Sequence, residues 1–268
     1  MRDPGPEPRF AFGRNWERFL RGVDERRIAD AERTLRDSFP DDLTGRTFLD
    51  LGCGSGLSSL AARRLGATAH SVDIDAEAVA CARVLRERYR PGDAAWRISQ
   101  GSALDAGFLR ALGRFDVVYS WGVLHHTGAM WKGLGLACQA VGPRGYLLVA
   151  LYNDQGRRSR MWRDVKRTYN RLPGFLRPAY AAAVWIPVEA AAALKSGRPV
   201  RHLRERREGL RRRGMSWWRD VVDWVGGYPF EVARPEAVVA FCEERGFQTI
   251  RSKLSGGGCN EFLLQRAV

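Results

Sequence analysis

The sequence is poor in the residues that bind metals and form disulfides, with four histidines and five cysteines among 268 residues. The cysteines stand at positions 53, 81, 138, 242 and 259, with no CxxC pair and no metal-ligand cluster. An odd, scattered set of this kind points to free thiols in a reducing compartment. No metal site is expected. The N-terminal MRDPGPEPRF has no apolar h-region, which argues against secretion and makes the cytoplasm the expected location. Nor is there a spanning segment. AYAAAVWIPVEAAAAL (179–194) has 16 residues and is broken by Pro187 and Glu189, too short and too interrupted to cross a bilayer.

Acidic residues are nearly missing from one stretch. Between Arg157 and Arg213 there are 17 Lys/Arg against 4 Asp/Glu, a local net of +13. The whole chain carries +14, so the rest is close to neutral. An excess confined to one segment concerns partners rather than the fold.

What is present is alternation. RNWERFLRGVDERRIADAERTLRDS (14–38) reads as a helix, stopped by Pro40. Strand-like TFLDLG (47–52), ATAHSVDID (67–75), AWRISQG (95–101), FDVVYSWG (115–122) and GYLLVALY (145–152) follow. Helical 57–66, 76–90, 104–112 and 130–142 lie between them. This β-α-β-α order predicts an α/β fold, with a mostly parallel sheet covered by helices on both faces. From 153 to about 230 the rhythm gives way to an Arg-, Trp- and Ala-rich block without strand alternation, read as a helical insertion. It resumes with a helix at 234–246, opened by Pro235, and strands at 247–254 and 260–267. The expected parts are an N-terminal helical lid (1–44), a core (45–152), a helical basic and aromatic cap (153–233), and the rest of the core (234–268).

LDLGCGSG (49–56) joins the first strand to its helix. Gly52, Gly54 and Gly56 permit a tight turn and close backbone approach beside a helix N-terminus, and Asp50 precedes them. A P-loop would need Lys-Ser/Thr here and a dinucleotide fold GxGxxG; neither is present. Asp73 ends the next strand, where a carboxylate can accept from ribose hydroxyls, while Asp75 is better placed to cap the following helix.

Together FLDLGCGSG, SVDID (71–75), QGSALD (100–105) and FDVVYSWGVLHHT (115–127) resemble the first four motifs of the class I, Rossmann-like S-adenosylmethionine-dependent methyltransferases. The resemblance covers about 45–152 by motif and 234–268 by strand pattern. It implies a doubly wound seven-stranded sheet whose last strand is antiparallel, with S-adenosylmethionine over the carboxyl ends of the first strands and S-adenosylhomocysteine as product. Gly52, Cys53, Gly54 and Gly56 would border the methionine moiety, with Asp50 beneath. Asp73 and Ile74 would meet the ribose, and Ser102, Ala103 and Asp105 the adenine. Of these, Asp105 is favoured as acceptor from the adenine amino group. Ser120 and Trp121 would close the reactive end.

The adjacent His125 and His126 then mark the methyl-transfer pocket rather than a metal pair. Neighbouring residues diverge, so one can take a proton and the other shape the turn, with His125 expected to face the cofactor side and His126 to be structural or to face the acceptor. Tyr152, Asn153 and Asp154 leave the fifth strand at its carboxyl end and are candidates to line the acceptor site. Trp217, Trp218, Trp224, Tyr228 and Phe230 offer either a hydrophobic substrate wall or the core of the cap. The motifs favour O- or C-methylation of a small hydrophobic or aromatic acceptor. An RNA or tRNA acceptor, tracked by the basic segment, is the second reading, and contact of 179–213 with a membrane surface is a further expectation.

Overall fold

The computed structural model describes Leu20, residues 22–212 and residues 217–267. Residues 1–19 and 21 of the N-terminal lid segment expected from the sequence lie outside these described residues. The helix expected over 14–38 is interrupted: Leu20 is helical, Gly22 sits in a turn, Asp24 is extended, and helix α1 runs over Glu25–Ser38, while residues 14–19 and 21 lie outside the described residues. The Asp24 side chain instead caps the helix, accepting from the Arg27 amide at 2.9 Å. Then follow β1 (Thr47–Leu51), α2 (Leu57–Arg64), β2 (Thr68–Asp73), α3 (Ala76–Tyr89), β3 (Trp96–Gln100), α4 (Ala106–Leu112) and β4 (Phe115–Trp121). After a short 3-10 turn (Leu124–His126) come α5 (Met130–Ala140) and β5 (Val141–Tyr152). The chain closes with α10 (Pro235–Glu243), β6 (Phe247–Lys253) and β7 (Cys259–Arg266). Asp75 caps α3 as expected, accepting from the Glu77 amide at 2.8 Å.

The seven strands form one sheet in the order β3-β2-β1-β4-β5-β7-β6. All neighbouring pairs are parallel except those made by β7, which runs antiparallel to both β5 and β6. The expected doubly wound sheet with an antiparallel last strand is therefore present. Both faces are buried, which is why the central strands read as continuous apolar runs. On β1, Phe48 joins the core under α1 and α2, while Leu49 and Leu51 join the opposite core under α5 and α10. Strand β5 is longer than 145–152. Val141 already pairs with Phe115 before a bulge moves the register to Val117 and Tyr146, and Arg144 takes a φ of 54° within it. The cysteines are all free, but two are less scattered than their spacing suggests. Cys138 on α5 and Cys242 on α10 are buried in the same core cluster.

A second compact unit, Gly156–Phe230, contains α6 (Arg157–Arg171), α7 (Arg177–Lys195), α8 (Pro199–Arg212) and α9 (Trp217–Gly226). Its centre is a triangle of indoles, with Trp162, Trp185 and Trp224 ring centroids 6.1–6.2 Å apart. Val221 and Val225 complete it. Helix α7 runs through Pro187, whose ring nitrogen cannot donate to the Ala183 carbonyl. A polar network links three helices. Arg206 of α8 reaches Glu189 of α7 at 3.1 Å and Asp220 of α9 at 3.4 Å, with its guanidinium 5.1 Å from the Trp185 ring centroid. The Trp185 indole donates to Glu189 at 2.8 Å. Removing a cation from a buried network leaves its carboxylates uncompensated. Arg206→Met should thus lower the unit's stability by about 2 kcal/mol, whereas Glu189→Gln, which keeps an acceptor for Trp185, should cost less. Urea denaturation followed by near-UV circular dichroism would measure both, and equal, negligible effects would show the network to be inert.

Candidate active site

Strand β1 lies between β2 and β4, with β3 beyond β2 on one side and β5 beyond β4 on the other. The crevice of an open α/β sheet opens at such a reversal, beyond the strand carboxyl ends. The loop after β1 folds there because the Gly52 and Cys53 amides both donate to the Val72 carbonyl, at 2.7 and 3.0 Å. Gly52, Gly54 and Gly56 have φ of 84°, 53° and 81°. At two of these positions the missing side chain serves packing. A Cβ on Gly52 would stand 2.3 Å from a Val123 methyl, and one on Gly56 would stand 2.9 Å from Ala82 Cβ. Val123 was not singled out in the sequence. It presses the loop after β4, the one carrying the histidines, against the glycine loop.

Asp73 is the hinge of the loop. Its Oδ2 accepts from the Gly54 amide and its Oδ1 from the Asp75 amide, both at 2.9 Å. Burial raises the pKa of its carboxyl, partly countered by these amide donors. Asp50 lies below, 2% exposed, at the end of a buried relay that sequence reasoning missed. The Trp96 indole donates to Ser71 Oγ (2.8 Å), Ser71 to Ser59 Oγ (2.6 Å), and Ser59 to Asp50 Oδ2 (2.6 Å). Serines and a tryptophan spread over β2, α2 and β3 carry no local signal of such a chain; only the register brings them together. Burial pushes the Asp50 carboxyl up to about 7, with the nearby Asp73 charge adding to the rise and the Ser59 hydroxyl opposing it. Cys53 is buried, and burial raises its thiol well above the ordinary range, so it is no nucleophile.

The other candidates divide. Ile74 is 55% exposed and Trp121 49%, so two large apolar side chains stand open at the carboxyl ends of the strands flanking β1. Ser120 is buried and donates to the Leu51 carbonyl at 2.9 Å, pinning β4 to β1 rather than facing a ligand. Ser102 accepts from the Leu104 amide and Asp105 from the Phe108 amide, so Asp105 caps α4. Ala103 packs on the α5 core. The Asn153 side chain donates to the Ser255 carbonyl, bracing the β6–β7 turn. In the helical unit, Trp217, Trp224 and Phe230 pack partly buried on the indole core, and Tyr228 is 3% exposed. These four therefore build the unit's interior. Trp218, its ring centroid 6.1 Å from that of Trp217, is the more open member of the pair.

The histidines sit in the 3-10 turn, where adjacent side chains diverge by about 120°. His125 is 1% exposed and lies between two rings, 3.9 Å from the Tyr152 centroid and 4.4 Å from that of His126. His126 is only partly buried, with its ring at 89° to Tyr152. Glu231 secures the turn from a distant part of the sequence. Its amide donates to the His125 carbonyl, and its carboxylate accepts from the Met130 amide, both at 2.9 Å. That carboxylate caps α5, which has no side-chain cap of its own.

A cofactor of the class implied by the sequence motifs fits this arrangement. Asp73 supplies a carboxylate acceptor, Ile74 and Trp121 supply apolar surface, and the N-terminus of α2 opens beside the loop without a side-chain cap. Among the described residues no group of three or more His, Cys, Asp or Glu is arranged to hold a metal ion.

Residues 23–219 match a family model described as a methyltransferase domain. Among curated proteins, a ubiquinone biosynthesis O-methyltransferase of Methylobacterium sp. is 30% identical over 120 residues, covering 42% of this chain and 44% of that protein. An uncharacterised protein of Synechococcus sp. is 32% identical over 164 residues, covering 60% and 38%. The chain thus spans less than half the length of these relatives. Among solved structures, the magnesium protoporphyrin IX methyltransferase of Synechocystis PCC 6803 aligns with a TM-score of 0.53 at 13% identity, covering 98% of this chain and 90% of that one. An O-methyltransferase family protein from Burkholderia thailandensis aligns with the same score at 15% identity, covering 90% and 57%. At these identities the likeness is one of fold.

Proposed function

The chain belongs to the class I S-adenosylmethionine-dependent methyltransferases, and we propose that it methylates oxygen or carbon on a small hydrophobic or aromatic acceptor. The observation that carries this reading is the packing of the histidine turn on the glycine loop through Val123 and Gly52. It brings an aromatic patch of His125, His126 and Tyr152 beside the loop. The cofactor supplies an electrophilic methyl on a sulfonium, so the protein's task is alignment and, for a hydroxyl acceptor, removal of one proton. Asp73 holds the loop amide of Gly54 and, with the cofactor bound, would accept from its ribose hydroxyls. His126, the more accessible imidazole, would take the proton from a hydroxyl acceptor. His125 keeps the turn in place beneath it. The likeness to a ubiquinone biosynthesis O-methyltransferase supports an acceptor of phenol or quinol type.

Calorimetry with S-adenosylhomocysteine, followed by methyl transfer to a panel of phenols and quinols, tests the reading. His126→Gln should lower turnover on a responsive acceptor by about 100-fold, the scale of general base catalysis. It should leave cofactor affinity unchanged. His125→Gln should change acceptor KM more than cofactor affinity. Wild-type turnover in both variants removes the base; transfer to RNA but to no panel member replaces the acceptor class with the second reading.

A further inference from the structure

Helix α7 is amphipathic in the opposite sense to an ordinary surface helix. Between Pro178 and Leu194 its only charged residue is Glu189, and Glu189 points inward, 6% exposed, bonded to Trp185 and Arg206. Ala181, Trp185, Glu189 and Ala193, one every fourth residue, form the buried stripe. The face left to solvent is apolar, with Ile186 56% and Leu194 73% exposed. It continues beyond both ends of the helix. Phe175 is 81% exposed in the preceding turn, and Val200 80% exposed on α8. The exposed charges that border it, Arg171, Lys195 and Arg198, are all cationic. A soluble helix normally turns its charges outward, and a contiguous exposed apolar face marks an interaction site.

We propose that this face of residues 175–203 seats on an anionic lipid bilayer. Its apolar side chains enter the boundary between headgroups and acyl chains, and the flanking Lys and Arg meet lipid phosphates. The helix lies on the bilayer rather than through it. No helix among the described residues is long and apolar enough to cross a membrane, and the one acidic group of α7 is spent on the interior. Charge selects the occupant. A second copy of this chain would set one +13 segment against another, whereas an anionic surface attracts it. A nucleic acid would satisfy the rim but leave the apolar centre without a partner.

Vesicle flotation of the full chain, using phosphatidylcholine with or without phosphatidylglycerol, tests this. The wild type should float with the anionic vesicles, much less with phosphatidylcholine alone, and less as salt is raised. Ile186→Glu combined with Leu194→Glu alters only exposed positions, so the circular dichroism spectrum should be kept while vesicle affinity falls by about tenfold or more. Lys195→Glu and Arg198→Glu should each weaken anionic binding by about fivefold or more. Absence of flotation with anionic vesicles at low salt overturns the proposal, as does a folded Glu variant that floats like the wild type. A lipid-free dimer that this same variant dissociates, with no flotation by the wild type, assigns the face to a second copy instead.

Discussion

Gly52→Ala is expected to abolish binding of S-adenosylhomocysteine and to lower stability by about 2–5 kcal/mol. Two effects add. The backbone at 52 has φ of 84°, where a Cβ costs about 1–2 kcal/mol against the carbonyl that follows. The new methyl would also stand 2.3 Å from Val123 Cγ1 and 2.5 Å from Cγ2, and overfilling a packed contact costs about 1–3 kcal/mol. Neither loop can move aside cheaply. The glycine loop is held by the Val72 carbonyl and Asp73, and the histidine turn by Glu231. The Gly52→Ala/Val123→Ala double variant separates the two costs. It should be more stable than Gly52→Ala alone, because the clash is relieved while the backbone strain stays. Denaturant melts and calorimetry on the single and double variants would show this. Identical stability for Gly52→Ala with and without Val123→Ala would remove Val123 as the reason for the glycine.

Raising the pH from 7 towards 9 is expected to stabilise the helical unit, through Lys166. This side chain is 1% exposed, donates to the Trp224 carbonyl, and lies 5.1 Å from the Phe230 ring centroid. Burial pulls its ammonium down to about 7, against the pull of Asp223 in the other direction. In the unfolded chain a lysine keeps its ordinary value near 10.4. Between the two values the unfolded state holds a proton that the folded state has released, so stability rises with pH across this window. The slope contributed is at most about 1.4 kcal/mol per pH unit, and below pH 7 the burial cost is fully present. Lys166→Met fills a similar volume without the charge. It should raise stability near neutral pH by about 1–3 kcal/mol and flatten the pH dependence up to pH 9. Near-UV circular dichroism melts across that range would measure it. A variant with unchanged pH dependence would show that Lys166 does not titrate in the folded unit.

Much of the core was legible because its signals are local. Strands buried on both faces read as apolar runs, the helices between them have polar outer faces, and Asp75 stands where a helix cap belongs. The first motif places glycines where a sharp turn needs them. What misled was a local signal that stopped short. The helical pattern of 14–38 does not reveal the break after Leu20, where Gly22 turns and Asp24 extends the chain before the helix of Glu25–Ser38. The candidate site was less legible. Asp105 is a suitable acceptor in sequence but caps α4, and Ser120 pins two strands together. The tryptophans at 217 and 224 suggested a substrate wall as readily as a core, and packing assigns them to the core.

The sequence by itself determined the fold class, the strand succession, the glycine loop with its following carboxylate, and the confinement of positive charge to one segment. Periodicity, spacing and composition are properties of neighbouring residues and need no third dimension. Tertiary structure alone decided which histidine is buried, what fills the space above Gly52, and that a relay from Trp96 ends on Asp50. It likewise turned the single acid of α7 inward. Each of these joins residues far apart in sequence. Sheet register and helix packing set such contacts, and no local pattern encodes them.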